Sequence, residues 1–223
     1  MTVYDLTRAL PDIATLRDRC RAMAALELVI SGNESGGYFS YALAWGPGEE
    51  AALMDNGSGD DYAVVFTPDG VFGCGFDHES PMSPWASDDD PAPWPGLVDG
   101  MPEVFAPQLT EAAFATDEGV INATAVFWRE TGDTAWRAGT VEFPAGHPDP
   151  DGTDHLFAVL AAGTPEAYHA FAEDYYESDL PLDAVRHLWE LRPPTQAVVD
   201  ALNPGLPLEA VAPRLARVGY PGV

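Results

Sequence analysis

Apolar residues near the start of the chain recur every three or four positions, which is the spacing of one face of an α-helix. The positions that form this stripe are Ile13, Leu16, Cys20, Met23, Leu26 and Ile30. Pro11 precedes them, and proline is favoured in the first turn of a helix. Ser31, Gly32 and Asn33 follow them and are poor helix formers. The pattern therefore predicts an amphipathic helix that opens at Leu10 and Pro11 and ends near Ile30.

The hydrophobic pattern then changes to strict alternation over residues 37–45, which indicates a β-strand. The same criteria predict further strands at 50–54, 62–67, 71–76, 120–129 and 136–143. Pro68, Asp69 and Gly70 separate two of these strands and are typical of a tight hairpin, with Gly70 at positive φ. A turn at Gly132 and Asp133 separates the last two.

Helical patterns return after Pro144 and continue to the end of the chain. The predicted helices cover 154–162, 165–176, 182–191, 196–202 and 208–218, with Thr164 and Thr195 as N-caps. The sequence therefore predicts an α+β fold with an N-terminal helix, a mostly antiparallel sheet of five or six strands and a C-terminal helical cluster. We expect one domain over 1–223, with a helix-and-sheet portion at 1–145 and a helical portion at 146–223.

Charge is distributed very unevenly along this chain. It holds 36 acidic residues, ten arginines and no lysine, and residues 22–128 contain no basic residue except His78. Such a surface repels phosphates and anionic lipids, which argues against nucleic-acid and membrane partners. A hydrophobic fraction of 46% argues against disorder. Biased genome composition or adaptation to salt would produce the same acidity without any partner.

The first residues and the cysteines indicate a compartment. Residues 1–9 lack a basic segment followed by an apolar one, and the chain has no apolar run of about 18 residues. We therefore expect a cytoplasmic protein. Cys20 and Cys74 fit neither a disulfide framework nor a zinc motif, and we expect both to be buried thiols.

The sharpest group of reactive residues follows the predicted strand 71–76, where Asp77, His78, Glu79 and Ser80 open a loop with seven prolines over 77–107. A histidine between two carboxylates suits a general acid or a divalent-cation site. The alternative is structural: Asp77 and Ser80 fold the loop through local hydrogen bonds, and His78 lies on the surface.

A second group of possible metal ligands lies in the loop 55–61, where Asp55 and Asp60 offer carboxylate oxygens. Turn chemistry explains the Asn-Gly and Gly-Asp pairs of this loop equally well. The tract that begins at His147 departs from a calcium-binding EF-hand loop at two ligand positions. No cofactor is predicted, although a divalent metal is compatible with these carboxylates.

Two functional hypotheses follow. The first is an acidic, cytoplasmic protein-binding protein, such as an immunity-type inhibitor of a basic partner. Its contact residues would be Trp85, Trp94, Asp88, Asp89 and Asp90. The alternative is a metal-assisted hydrolase with a site around Asp77, His78 and Glu79.

The run from Met54 to Trp85 resembles uncharacterised bacterial proteins of similar length. The residues that carry this resemblance are 54–60 and 75–84. The resemblance implies no fold, no activity and no site residue for this chain.

Overall fold

The computed structural model describes residues 1–33, 37–86 and 91–223. The α-helices are α1 (Val3–Ala9), α2 (Ile13–Ser31), α3 (Thr153–Leu156), α4 (Ala158–Ala162), α5 (Pro165–Tyr176), α6 (Leu182–Trp189), α7 (Gln196–Leu202) and α8 (Leu208–Arg217). The strands are β1 (Phe39–Ala42), β2 (Glu50–Asp55), β3 (Asp61–Thr67), β4 (Gly70–Phe76), β5 (Ala125–Glu130) and β6 (Arg137–Ala138). A 3₁₀ helix covers Glu103–Thr110. Among these described residues, no helix combines the length and apolar character needed to cross a membrane.

The strands form one open, antiparallel, six-stranded sheet in sequence order, β1-β2-β3-β4-β5-β6. With helices before and after the sheet, the α+β fold predicted from the sequence is confirmed. Sequential strands that pair in order need only simple connections, so no crossover is required. β4 is buried along its whole length, and it is hydrogen-bonded to β3 on one side and to β5 on the other.

The β3–β4 hairpin has the two-residue turn that its sequence predicts, since Thr67 pairs with Gly70 across Pro68 and Asp69. Gly70 has a φ of 156°. A Cβ at this position would lie 2.2 Å from the carbonyl oxygen of Arg129. Only glycine therefore lets the neighbouring strand approach the end of the turn.

The structure differs from the sequence prediction at both ends of the first 145 residues. The short helix α1 precedes the predicted helix, and the predicted strand 136–143 is reduced to Arg137–Ala138. A residue of α1 contacts the segment in which the strand was predicted to continue. The hydroxyl of Tyr4 in α1 donates to the carbonyl oxygen of Gly139 at 2.9 Å and accepts from the amide of Val141 at 2.7 Å. A side chain thus occupies backbone groups that a longer strand would offer to a neighbouring strand.

The chain divides into two compact units. The first comprises Met1–Ile13 and Met54–Ala158, and the second comprises Ala14–Leu53 and Val159–Val223. These boundaries do not coincide with the predicted portions 1–145 and 146–223, and one domain over 1–223 stays a prediction. In the first unit, the ring of Phe157 stacks on Tyr62 with centroids 4.8 Å apart and meets Phe127 edge-on.

The second unit contains a buried carboxylate. The Glu27 side chain of α2 is 0% exposed. Its oxygens accept hydrogen bonds from the hydroxyls of Tyr168 at 2.7 Å and Tyr176 at 2.6 Å, and from the backbone amide of Tyr38 at 2.8 Å. Burial raises the pKa of Glu27, and the two tyrosine hydroxyls offset only part of that effect. The carboxylate thereby links α2, α5 and the segment before β1.

Both cysteines are free and buried, as the sequence predicts. Burial raises the pKa of the Cys20 thiol to about 12, and it raises the pKa of Cys74 still further above the ordinary value. Neither sulfur is therefore a thiolate at neutral pH, and neither is available as a nucleophile.

Replacing Tyr176 by phenylalanine is expected to lower the free energy of unfolding by about 1–2 kcal/mol, because a buried carboxylate loses a charge-assisted hydrogen bond. Tyr175→Phe is the matched control: Tyr175 is 48% exposed, and its hydroxyl makes no hydrogen bond to the described residues. Urea unfolding at neutral pH measures both variants. Equal losses in the two variants would contradict this role of Tyr176.

Candidate metal site

The C-terminal end of β4 supplies the first carboxylate of the site, Asp77, which is 8% exposed. The backbone amide of Asp77 donates to the hydroxyl of Thr124 at 3.2 Å. That hydroxyl in turn donates to the carbonyl oxygen of Asp151 at 2.8 Å. One Asp77 oxygen accepts the amide of Glu79 at 2.9 Å, so the carboxylate also shapes its own turn. Hydrogen bonds therefore fix both the backbone and the carboxylate of Asp77.

A glycine allows a distant segment to pack against Asp77. Gly152 has a φ of 71°, and a Cβ there would lie 2.4 Å from the Cβ of Asp77. Any other residue would strain the backbone and clash with Asp77. Helix α3 starts immediately afterwards at Thr153, so the same glycine brings His155 to this end of the sheet.

Asp60 supplies a second carboxylate, from the turn that precedes β3, and is also 8% exposed. Its Oδ1 accepts the backbone amide of His78 at 3.0 Å and lies 2.6 Å from His78 Nδ1. Its Oδ2 accepts the side-chain amide of Asn56 at 2.7 Å. Burial alone would raise the pKa of Asp60, but the hydrogen bonds from His78 and Asn56 outweigh it and lower the pKa. Asp60 is therefore ionised at neutral pH.

His78 forms a carboxylate–imidazole pair with Asp60. The hydrogen bond to Asp60 raises the pKa of His78 above its ordinary value. Since an ionised carboxylate can only accept, Nδ1 of His78 is the donor in this pair. The His78 side chain is 46% exposed, so the pair lies at the edge of the site and in contact with solvent.

His155 supplies an imidazole from α3. Its Nδ1 lies 3.3 Å from Oδ2 of Asp149, and its Nε2 lies 3.7 Å from Oδ2 of Asp60. Asp149 also accepts the backbone amide of Asp154 at 3.0 Å, so it fixes both the start of α3 and the ring of His155. A proton on Nδ1 that is donated to Asp149 leaves the lone pair of Nε2 directed at the carboxylates, as in many histidine ligands of metals.

The ligand atoms of Asp60, Asp77 and His155 all lie within 4.8 Å of one another. Metal–ligand bonds of about 2.1 Å separate two ligands of one ion by roughly 3 to 4.2 Å, depending on geometry. Small rotations of these side chains would therefore bring all three atoms into one coordination sphere. Two carboxylate oxygens and one imidazole nitrogen are a donor set suited to a divalent first-row transition metal.

The structure places the other candidate residues elsewhere. Glu79 is exposed and belongs to no group of possible metal ligands among the described residues. Ser80 is buried, and its hydroxyl donates to the carbonyl oxygen of Pro150 at 2.6 Å, which leaves it in a structural role. Asp55 accepts the amide of Gly57 at 2.7 Å in a local turn, and it belongs to no group of possible metal ligands in the described part of the chain.

The predicted partner-binding residues lie in the long loop after Asp77. Trp85 is 53% exposed, and its indole nitrogen donates to the side chain of Asn122 at 2.9 Å. Trp94 is half-buried, and its indole donates to the carbonyl oxygen of Glu142 at 3.0 Å. The three remaining residues of that prediction lie outside the described part of the chain; they are Asp88, Asp89 and Asp90.

Sequence reasoning missed His155 and its partner Asp149. Asp149 lies 72 residues and His155 lies 78 residues beyond Asp77, in a tract that matches no metal-binding spacing. The only local signal was the pattern of Asp149, Asp151 and Gly152 before a helix start, which also fits an ordinary capped turn. The convergence depends on Gly152 packing against Asp77, which no local pattern encodes.

The comparisons with known proteins add no relative to this picture. No family model, no curated protein and no solved structure matches the chain. The functional assignment of the site therefore rests on its own geometry and chemistry.

Proposed function

We propose that this protein binds a divalent transition-metal ion through Asp60, Asp77 and His155. The observation that carries the proposal is the approach of these three ligand atoms to within 4.8 Å from three separate segments of the chain. Two of the ligands are carboxylates with less than a tenth of their surface exposed. A bound cation would offset the cost of burying two adjacent negative charges.

The donor set favours particular ions. Ca²⁺ takes six to eight oxygen ligands, and Mg²⁺ prefers oxygens and water in a strict octahedron. The imidazole of His155 instead suits Mn²⁺, Fe²⁺, Co²⁺ or Zn²⁺. Three protein ligands also leave coordination positions for water, which is the arrangement of catalytic zinc sites rather than closed structural ones.

Metal-assisted hydrolysis is the activity that such a site supports best. An ion with an open position lowers the pKa of its bound water and generates a hydroxide near neutral pH. His78, exposed and paired with Asp60, is the neighbouring group suited to transfer a proton. This revises the sequence hypothesis: Asp60, Asp77 and His78 are kept, and His155 takes the place of Glu79.

Isothermal titration of chelator-treated protein is expected to give saturable binding of Mn²⁺ or Zn²⁺ that is at least about tenfold tighter than that of Ca²⁺ or Mg²⁺. Asp77→Asn and His155→Ala are each expected to weaken binding by about tenfold or more. His147→Ala is the matched control, because His147 is exposed in the same segment and belongs to no group of possible ligands among the described residues. The proposal is wrong if the unaltered protein binds none of these ions, or if His147→Ala weakens binding as much as His155→Ala.

Metal affinity is expected to rise with pH through the range in which His78 loses its proton, because the protonated ring competes with the ion for Asp60. The pKa of His78 is raised, so this range lies above that of a free histidine. The pKa of Asp60 is lowered, so Asp60 adds no dependence near neutral pH. Titrations between about pH 6 and pH 9 measure the slope, and His78→Gln is expected to reduce it by about one proton. If the pH dependence of metal affinity were the same in His78→Gln as in the unaltered protein, protonated His78 would not compete with the ion for Asp60.

The second candidate function is binding of a basic protein, and the surface position of Trp85 favours it. A half-exposed tryptophan that is fixed by a hydrogen bond offers a large contact area at little entropic cost. The net charge of −26 would attract a cationic partner and speed its association.

A tagged protein is expected to retain a basic partner from its own lysate at low salt and to release it at high salt. Trp85→Ala should reduce recovery several-fold, whereas Val104→Ala, a control that removes another exposed apolar side chain, should not. Equal recovery by all three proteins, or retention that salt does not affect, would exclude a charge-driven interface at Trp85.

A further inference from the structure

A pocket of about 500 Å³ lies in the first unit, and none of the proposed metal ligands lines it. The C-terminal end of α1 and the β5–β6 turn form it, and its lining includes Thr7, Arg8, Arg129, Thr134 and Trp136. Its chemistry is unusual for this chain, because it collects positive charge. The first unit contains only three arginines, and two of them, Arg8 and Arg129, line this pocket.

Arg129 differs from the other two arginines of its unit in having no carboxylate partner among the described residues. Arg8 contacts Asp5 at 2.9 Å, and Arg137 contacts Asp133 at 3.3 Å. Arg129 donates only to carbonyl oxygens: Nε and Nη2 to that of Asp133, at 3.1 and 2.9 Å, and Nη1 to that of Pro11, at 3.4 Å. Although the chain has 36 acidic residues, no described carboxylate forms an ion pair with Arg129.

The guanidinium of Arg129 keeps unused donors. An arginine has five N–H groups, and the contacts of Arg129 use one on each of its three nitrogens. One N–H therefore remains on each terminal nitrogen. Two parallel N–H groups on neighbouring nitrogens match the two oxygens of a carboxylate.

Neighbouring groups hold the guanidinium in one orientation. Its central carbon lies 5.8 Å from the ring centre of Trp136, which is a cation–π contact. Trp136 is buried, and its indole nitrogen donates to the carbonyl oxygen of Pro11 at 2.6 Å. Arg129 and Trp136 thus both donate to the carbonyl oxygen of Pro11. The guanidinium of Arg129 is therefore ordered before any ligand binds.

We propose that this pocket binds a small carboxylate monoanion, with Arg129 as the bidentate donor and Arg8 as a second positive charge. Asp12 also lines the pocket, and Arg8 is already paired with Asp5 at 2.9 Å. The positive charge without an ion-pair partner among the described residues is therefore that of Arg129, and one carboxylate neutralises it. The net charge of −26 opposes a phosphate dianion more strongly than a monoanion. Trp136, Leu10 and Pro11 in the lining favour a carboxylate that carries an apolar or aromatic group.

The test is a ¹⁹F NMR titration with 4-fluorobenzoate, in which chloride keeps the ionic strength constant. Saturable binding is expected, with displacement by acetate at higher concentration. Arg8→Gln and Arg129→Lys are each expected to weaken binding by about tenfold, because each removes a charge or the bidentate geometry. Arg137→Gln is the control with the same loss of charge outside the pocket lining, and it should bind like the unaltered protein.

If Arg129→Lys fails to fold, Arg8→Gln still tests the proposal, since Arg8 is mostly exposed and its guanidinium pairs with no described carboxylate other than Asp5. No saturable binding of 4-fluorobenzoate would overturn the proposal. Tighter binding of phosphate than of the carboxylate would overturn the choice of ligand. Equal weakening by Arg8→Gln and Arg137→Gln would show a general charge effect and would also overturn it.

Discussion

The hydroxyl of Thr124 connects the segments on which the candidate metal site depends. It accepts the amide of Asp77 at the end of β4 and donates to the carbonyl of Asp151. Asp151 is itself 0% exposed and accepts the amides of Val3 and Thr153. Burial raises the pKa of Asp151, and the hydrogen bonds from Val3 and Thr153 offset only part of that effect. One hydroxyl and one buried carboxylate thus join α1, β4 and α3.

Local patterns were sufficient for much of the fold. The helical spacing of α2 and the Pro-Asp-Gly turn each depend on neighbours within a few residues, and the structure contains both the helix and the turn. The prediction that α2 buries only one face was wrong, because every residue over 22–29 is buried, Glu27 included. The prediction was wrong where a distant side chain competed for backbone groups. Tyr4 takes hydrogen bonds from the segment after β6, and no periodicity within 136–143 records that competition.

In the candidate site, too, local sequence identifies some of the residues, and distant packing determines the others. Asp77 and His78 were identifiable because reactive residues directly after a buried strand are placed by that strand. Asp60 lies at the start of the neighbouring strand of the same hairpin, so the β3–β4 register brings it to the same edge. His155 reaches this edge through tertiary packing at Gly152. Residue spacing does not encode such packing.

The two buried thiols have a practical consequence. Cys74 belongs to the first compact unit and Cys20 to the second. A thiol that is both enclosed and protonated does not react with alkylating reagents until its surroundings open. Each unit therefore contains one natural cysteine whose alkylation reports local unfolding of that unit. The rate at which each cysteine becomes labelled would compare the local stabilities of the two units in the unmodified protein.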